Sequence, residues 1–152
     1  QKVIELHGDH RRLQCIRCEW LGPVEPAHLA DETEVPACPE CGFYLKPNVV
    51  LFGEDVRGME EATEGVAACD ALLVIGTSAQ VFPAAGLPAV VKAHDGLIFE
   101  FNTEETALTK GTAGANWLSL LLEDPDGPAQ TDFLFKGPAA RTVDLFAATV
   151  LG

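Results

Sequence analysis

From residue 46 onwards, short apolar runs alternate with segments whose apolar residues recur every three or four positions. The runs have the length of buried strands, about four to eight residues, and they are PNVVLF (47–52), ALLVIG (71–76), LIFEFN (97–102) and TDFLFKG (131–137). The segments with helical spacing lie at 57–69, 84–94 and 138–151. Strands and helices in alternation predict parallel βαβ units.

The first 45 residues have a different texture. Residues 3–6 (VIEL) predict a short apolar strand that runs into His7 and Gly8, and residues 11–15 (RRLQC) predict a second strand. Residues 19–37 are rich in Pro, Glu and Asp and have no sustained period, so they predict a loop.

Short polar or glycine-containing stretches follow several of the predicted strands. They lie at 7–8, 52–54, 76–78 and 102–104. Parallel α/β sheets bind ligands outside the carboxyl ends of their strands. The sequence therefore predicts that these stretches converge on one site, the first of them if residues 3–6 belong to the sheet.

Four of the five cysteines form two CxxC pairs, Cys15 with Cys18 and Cys38 with Cys41. Two such turns can supply a tetrahedral set of thiolates to one zinc ion. Four thiolates leave no coordination position open for water, so we expect a structural site. A redox dithiol would need only one pair, at the start of a helix. Cys69 falls on the apolar side of helix 57–69 and is expected in the core.

The amino-acid composition argues against some classes of function. The chain has 152 residues and a formal net charge of −13, and residues 19–37 contain several acids but no Lys or Arg. This balance argues against direct nucleic-acid binding, since phosphates call for a basic face. Neither a secretory signal nor a membrane span is expected. Paired cysteines without a signal favour a reducing, cytoplasmic location.

The predicted strand ends carry candidate chemistry. His7 could act as a general base, although a histidine at a strand end is often only a surface residue. Gly76, Thr77 and Ser78 could contact a phosphate or ribose. Asn102 and Glu104 could hold ribose hydroxyls or merely cap the strand. The sequence has no GxGxxG fingerprint.

Taken in order, these stretches resemble the C-terminal two-thirds of the sirtuins, the NAD-dependent protein lysine deacylases. The resemblance runs from residue 3 to about residue 140, and its motifs are VIELHG, the paired CxxC knuckles, KPNVVLFGE, DALLVIGTSAQVFPAA, FNTE and FLFKGPA. Each motif alone is weakly specific, whereas six in the family's order and spacing make a specific match.

The resemblance implies a role for each matching position. His7 corresponds to the catalytic histidine, the general base for the ribose hydroxyl, and Cys15, Cys18, Cys38 and Cys41 correspond to the zinc ligands. Substrate-binding positions line the acyl-lysine tunnel (Val50, Phe52) or the edges against which the peptide adds as a strand (Gly53, Glu54, Val81, Phe82). Positions that match NAD contacts are Gly76, Thr77, Ser78, Asn102, Thr103, Glu104 and Ala139.

The implied fold is an incomplete, parallel-sheet Rossmann-like α/β domain (1–13 and 46–152) with an inserted four-cysteine zinc-ribbon module (14–45). The implied activity removes acyl groups from protein lysines and gives nicotinamide, O-acyl-ADP-ribose and free lysine, with structural Zn²⁺ and NAD⁺ as co-substrate. Acylated-lysine peptides or proteins are the expected partners. The family's N-terminal third, with its phosphate-binding loop, is absent from this sequence, so we expect the chain alone to be inactive. The alternative is an inactive sirtuin-like zinc module that binds peptides or proteins.

The connection 105–130 is longer than sirtuins usually have, and it contains the apolar cluster WLSLLLE. It predicts either an additional packed helix or a subunit interface.

Overall fold

The computed structural model describes residues 2–31, 33–111 and 129–150. The chain forms two compact units, Gln1–Gly58 and Met59–Gly152. No helix among the described residues is both long and apolar enough to cross a membrane. The predicted apolar helix or interface around WLSLLLE lies outside the described residues.

The first unit contains a three-stranded antiparallel sheet. Its strands are β1 (Gly8–Cys15), β2 (Leu21–Pro23) and β3 (Leu45–Val49), in the order β2-β1-β3. β1 pairs with β3 from Cys15 opposite Leu45 to Gly8 opposite Val49, with a register shift between Asp9 and Leu13. The first CxxC pair therefore begins at the last residue of β1, and the second pair precedes β3, so the paired strands position the chain at both.

Two strand predictions in this unit were wrong in detail. Residues 3–6 form no strand. His7 lies in the turn directly before β1 and Gly8 is the first residue of that strand, so neither lies at the carboxyl end of a parallel strand. The strand predicted at 47–52 ends at Val49 and begins at Leu45, and its partner is antiparallel β1. Local apolar content can predict an extended segment, but the direction of its partner depends on residues distant in sequence.

The core of the first unit is small. Its buried residues are Leu13, Cys15, Cys38 and Leu45, with Cys18, Trp20, Val24 and Phe43 packed around them. Half of the buried set thus consists of cysteines from the two CxxC pairs. Apolar burial by itself supplies little stability to such a core.

The second unit contains a parallel sheet of β4 (Ala71–Ile75), β5 (Leu97–Asn102) and β6 (Phe133–Lys136), in that order. Among the described residues, three helices accompany it: α1 (Met59–Ala67), α2 (Leu87–Ala93) and α3 (Ala139–Val150). The predicted alternation of strands and helices is confirmed here, with ends that differ by a few residues. The first turn of the predicted helix 84–94 is a separate 3₁₀ turn, Ala84–Gly86.

Two sets of side chains hold this sheet. The buried cluster comprises Val74, Ala79, Val91, Ile98, Ala107 and Leu108, and Cys69 packs against it, as expected, from just beyond the end of α1. Five aromatic rings pack against one another along β5, β6 and α3, namely Phe99, Phe101, Phe133, Phe135 and Phe146. Residues of β5 alternate between the two faces of the sheet, so the strand contributes to both sets.

Candidate functional site

The two CxxC turns bring four thiols together. Cys15 is the last residue of β1, and its backbone N–H donates to the carbonyl of Trp20 (3.0 Å). In the second turn the N–H of Cys38 donates to Phe43 O (2.6 Å) and the N–H of Gly42 donates to Cys38 O (2.8 Å). Gly42 has a φ of +70°, a conformation that favours glycine. Both turns therefore direct their sulfurs to the same point.

The thiol geometry fits zinc. The Sγ atoms of Cys15 and Cys41 are 3.5 Å apart, those of Cys18 and Cys38 are 3.6 Å apart, and all four lie within 4.8 Å of one another. A tetrahedron with Zn–S bonds of ~2.3 Å has sulfurs separated by roughly 3.8 Å. The two separations of 3.5 and 3.6 Å are close to this figure, and four sulfurs would fill the coordination sphere. The arrangement is that of a closed, structural zinc site.

The backbone at His7 is anchored to the segment after β3. The carbonyl of His7 accepts a hydrogen bond from the N–H of Val50 (3.0 Å), and Gly8 pairs with Val49. Gly8 has a φ of +83°, and a Cβ atom there would lie 2.1 Å from the carbonyl oxygen of Asn48. Only glycine permits this approach. His7 is exposed, and its backbone is anchored by the hydrogen bond from Val50.

A tight turn follows β3 at residues 52–54. The Glu54 carboxylate accepts hydrogen bonds from Lys46 Nζ (2.6 and 2.7 Å) and from the N–H of Leu51 (2.9 Å). The Lys46 hydrogen bonds, and then the Leu51 N–H, lower the pKa of Glu54 below its usual value. Gly53 adopts a φ of +91°, and Phe52 is 98% exposed. The turn therefore presents an aromatic ring to solvent from a fixed backbone.

In the second unit, a polar cavity of about 550 Å³ lies at the carboxyl ends of β4 and β5. It is lined by both predicted nucleotide-contacting stretches, Gly76–Thr77–Ser78 and Asn102–Thr103–Glu104. Asn102 Nδ2 donates to the carbonyl of Thr77 (2.8 Å), which joins the two strand ends directly. The convergence predicted for these two stretches is confirmed.

Part of the cavity wall was missed by sequence reasoning. Gln80, Glu105, Thr106, Ala107 and Lys110 also line it. Most of them belong to a turn at 106–110, where the N–H of Lys110 donates to the carbonyl of Thr106 (3.1 Å). The closely spaced Thr106 and Thr109, directly after the Asn102 stretch, were the available signal, since threonine hydroxyls commonly bond to nearby backbone groups.

Three further predicted positions lie elsewhere in the second unit. Val81 and Phe82 are about half exposed and precede the 3₁₀ turn at 84–86. Ala139 is the first residue of α3 and is not among the residues that line the cavity.

Comparison with known proteins places these features in a family. The model described as "Sir2 family" matches residues 1–83. The chain is 40% identical over 136 residues to an NAD-dependent protein deacylase of Thermococcus sibiricus, a match that covers 81% of this chain and 53% of that protein. It is 44% identical over 106 residues to an NAD-dependent protein deacetylase of Caldivirga maquilingensis, which covers 68% and 41%. The chain spans about half the length of these relatives.

Solved structures agree. A Sir2 homolog–NAD complex superposes with a TM-score of 0.79 at 34% identity, covering 99% of this chain and 52% of that one. Sir2Tm bound to a propionylated peptide gives a TM-score of 0.76 at 26% identity, with coverages of 99% and 56%.

Proposed function

The chain belongs to the Sir2 family, and on that premise we propose that the protein removes acyl groups from protein lysines with NAD as co-substrate. The products are nicotinamide, O-acyl-ADP-ribose and free lysine. The observation that carries this proposal is the cavity of the second unit, because it unites both sequence stretches that match the family's NAD contacts. A parallel sheet that binds a dinucleotide does so at this end of its strands.

The cavity offers suitable chemistry for an adenosine ribose and its flanking groups. The hydroxyls of Thr77 and Ser78 can donate hydrogen bonds to phosphate or ribose oxygens. Gly76, whose own N–H donates to the carbonyl of Phe101 (3.0 Å), has no side chain and lets a ligand approach the backbone closely. The Glu104 carboxylate and the Asn102 amide can accept or donate hydrogen bonds at the ribose hydroxyls. Ala139, at the first residue of α3, would contribute a backbone contact near the adenine.

His7 is the proposed general base. Its role is to take the proton of the ribose hydroxyl as that oxygen attacks the acyl carbon. Two contacts support a fixed backbone position for His7. The N–H of Val50 donates to the His7 carbonyl, and the neighbouring Gly8 lies close to Asn48. A base held in place avoids the entropic cost of ordering it in each turnover.

The acylated peptide is proposed to bind as an added strand. In the first unit, Val50 and Phe52 would contact the acyl-lysine and Gly53 and Glu54 would offer backbone groups. In the second unit, Val81 and Phe82 would also offer backbone groups to the peptide. The exposure of Phe52 supports this proposal, because a fully solvated phenylalanine on an ordered turn is available to a ligand.

The four cysteines would hold Zn²⁺ in a structural role, within a module at 14–45 inserted between the segments 1–13 and 46–152 of the Rossmann-like domain. β1 and β3, which flank the cysteines, are paired with each other, and this supports an insertion that closes on itself. Free thiolates of this kind persist in a reducing compartment, so we also propose a cytoplasmic location.

The test uses the intact protein with NAD and an acetylated peptide. We expect nicotinamide release and O-acetyl-ADP-ribose by mass spectrometry, and we expect His7→Ala to abolish both. His10→Ala is the matched control, because His10 is also exposed and lies three residues further along the chain. If the wild-type protein binds the acetylated peptide but releases no nicotinamide, a peptide-binding module replaces the enzyme.

A further inference from the structure

Glu100 is a buried carboxylate with no role in the function proposed above. It lies in the middle of β5 and is 0% exposed. Because side chains alternate along a strand, it shares a face of the sheet with Asn102, whose side chain joins the two strand ends at the cavity. A buried acid costs free energy unless hydrogen bonds replace its lost hydration, so its partners indicate what it does.

Those partners are three threonine hydroxyls. Thr106 Oγ1 donates to Glu100 Oε1 (2.5 Å), and Thr131 Oγ1 donates to Oε2 (2.6 Å). Thr109 Oγ1 makes a longer contact of 3.4 Å with Oε2. The carboxylate thus binds both the segment that leaves β5 and the segment that returns to β6. Its contacts to Thr106 and Thr109 fall within the turn that lines the cavity.

The hydroxyls of Thr106 and Thr109 also accept hydrogen bonds from backbone N–H groups of the turn. Thr106 Oγ1 accepts the N–H of Leu108 (3.2 Å), and Thr109 Oγ1 accepts the N–H of Thr106 (2.8 Å). A hydroxyl that accepts a backbone N–H must direct its own proton elsewhere. Glu100 accepts the proton of the Thr106 hydroxyl, so the carboxylate determines which way that hydroxyl points and thereby holds the turn. The Thr109 hydroxyl lies within reach of both the Thr106 carbonyl (3.3 Å) and Glu100 Oε2 (3.4 Å).

We propose that Glu100 is a positioning residue that holds the 106–110 wall of the cavity in the shape that binds the adenosine end of NAD, an inference that rests on the proposed function. Lys110 and Thr106, at the two ends of the turn, line the cavity and would be displaced together if the turn loosened. Glu100 itself does not line the cavity, and its effect on the ligand is transmitted through the threonines.

The informative substitution is Glu100→Gln, which preserves shape. An amide has only one acceptor oxygen, and its NH₂ group would face a hydroxyl that needs an acceptor. Either Thr106 or Thr131 then loses its acceptor. If the turn keeps its binding shape for only about a tenth of the time, the apparent affinity for NAD falls ~10-fold. We expect the KM for NAD to rise by that factor in the intact protein while kcat stays within about twofold, because His7 is untouched.

Three further variants separate positioning from loss of stability. Thr131→Val removes a donor to Glu100 and leaves the cavity lining unchanged, so the KM for NAD should rise as in Glu100→Gln. Thr131→Ser keeps the hydroxyl and should keep the wild-type KM. Ile98→Val changes a fully buried core residue of the same strand and should lower the melting temperature without raising the KM for NAD.

A measurement without NAD distinguishes this inference from the proposed function. Hydrogen exchange at the amides of Thr106, Leu108 and Lys110 should accelerate in Glu100→Gln, while the amides of β4 keep their wild-type rates. Unchanged exchange in the turn would overturn the positioning role whatever NAD does. If the turn loosens but the wild-type protein does not bind NAD, the proposed function fails and the nucleotide part of this inference fails with it. An equal rise in the KM for NAD in Ile98→Val would also overturn the positioning role of Glu100, because the rise would then follow from lost stability alone.

Discussion

Replacing Cys38 with serine is expected to unfold the zinc module and not merely weaken it. Cys38 is 3% exposed, and its thiol lies 3.6 Å from that of Cys18. Serine keeps the size of the side chain but removes a thiolate ligand. The remaining three sulfurs cannot complete the closed tetrahedral site on which the two turns converge.

The magnitude follows from the size of the core. Leu13 and Leu45 are the buried residues of this unit's apolar core cluster that lie outside the CxxC pairs, and their burial contributes roughly 1.5–3 kcal/mol each, or about 3–6 kcal/mol together. Ordering the backbone costs about 1–2 kcal/mol for every residue fixed. Structural zinc contributes ~10–16 kcal/mol in small zinc modules at neutral pH. The metal is therefore the larger stabilising contribution, and the apolar core cannot replace it.

The assay combines zinc content with hydrogen exchange on the intact protein. Wild-type protein should carry ~1 zinc per chain. Cys38→Ser should lose it, together with protection of the β1–β3 amides and of the Cys15 and Leu45 amides, which donate to the carbonyls of Trp20 and Pro36. The β4–β5 amides provide an internal reference. Cys69→Ser is the matched control, because this thiol donates to the carbonyl of Val66 and lies outside the cluster. Retention of zinc and of β1–β3 protection in Cys38→Ser would refute the reasoning.

Three further outcomes are expected. Gly8→Ala should lower the free energy of unfolding by about 2 kcal/mol or more, measured by chemical denaturation, because it combines a positive φ with a clash against a backbone oxygen; a neutral result would contradict the close approach. Phe52→Ala should leave stability within about 0.5 kcal/mol yet raise the KM for an acylated peptide ~10-fold or more, and an unchanged KM would remove Phe52 from the substrate site. The hydrogen bonds from Arg11 lower the pKa of Asp9 from 3.8 to about 2, so its stabilising contribution is complete above pH 3.8 and is lost as the pH falls towards 2; Asp9→Asn should flatten the acid-unfolding curve in that window, and an unaltered curve would disprove the linkage.

Local patterns predicted the second unit well. β5 begins and ends where the apolar run LIFEFN does, and α1 lies inside the segment with helical spacing. Parallel strands that are buried on both faces and joined by helices leave a strong signature in the order of residues, since each element must be apolar over its own length. The polar stretches after β4 and β5 then meet because both strands run in the same direction.

The same reasoning failed where pairing partners decide the structure. VIEL has the composition of a strand but forms none, and the segment after Lys46 pairs with β1 in the antiparallel direction. No local pattern predicts that Gly8 must approach Asn48, or that a glutamate in a strand is buried beneath three threonines from two different segments.

The sequence by itself predicted the family, the four cysteines that come together and the two stretches that line the cavity of the second unit, because CxxC spacing, strand-end glycines and motif order are properties of neighbouring residues. Only the tertiary structure decided that His7 is held at the start of an antiparallel strand and that the 106–110 turn completes the cavity wall. The burial of Glu100 was decided in the same way. These features depend on hydrogen bonds and close contacts between segments far apart in the chain, and such contacts exist only once the chain has folded.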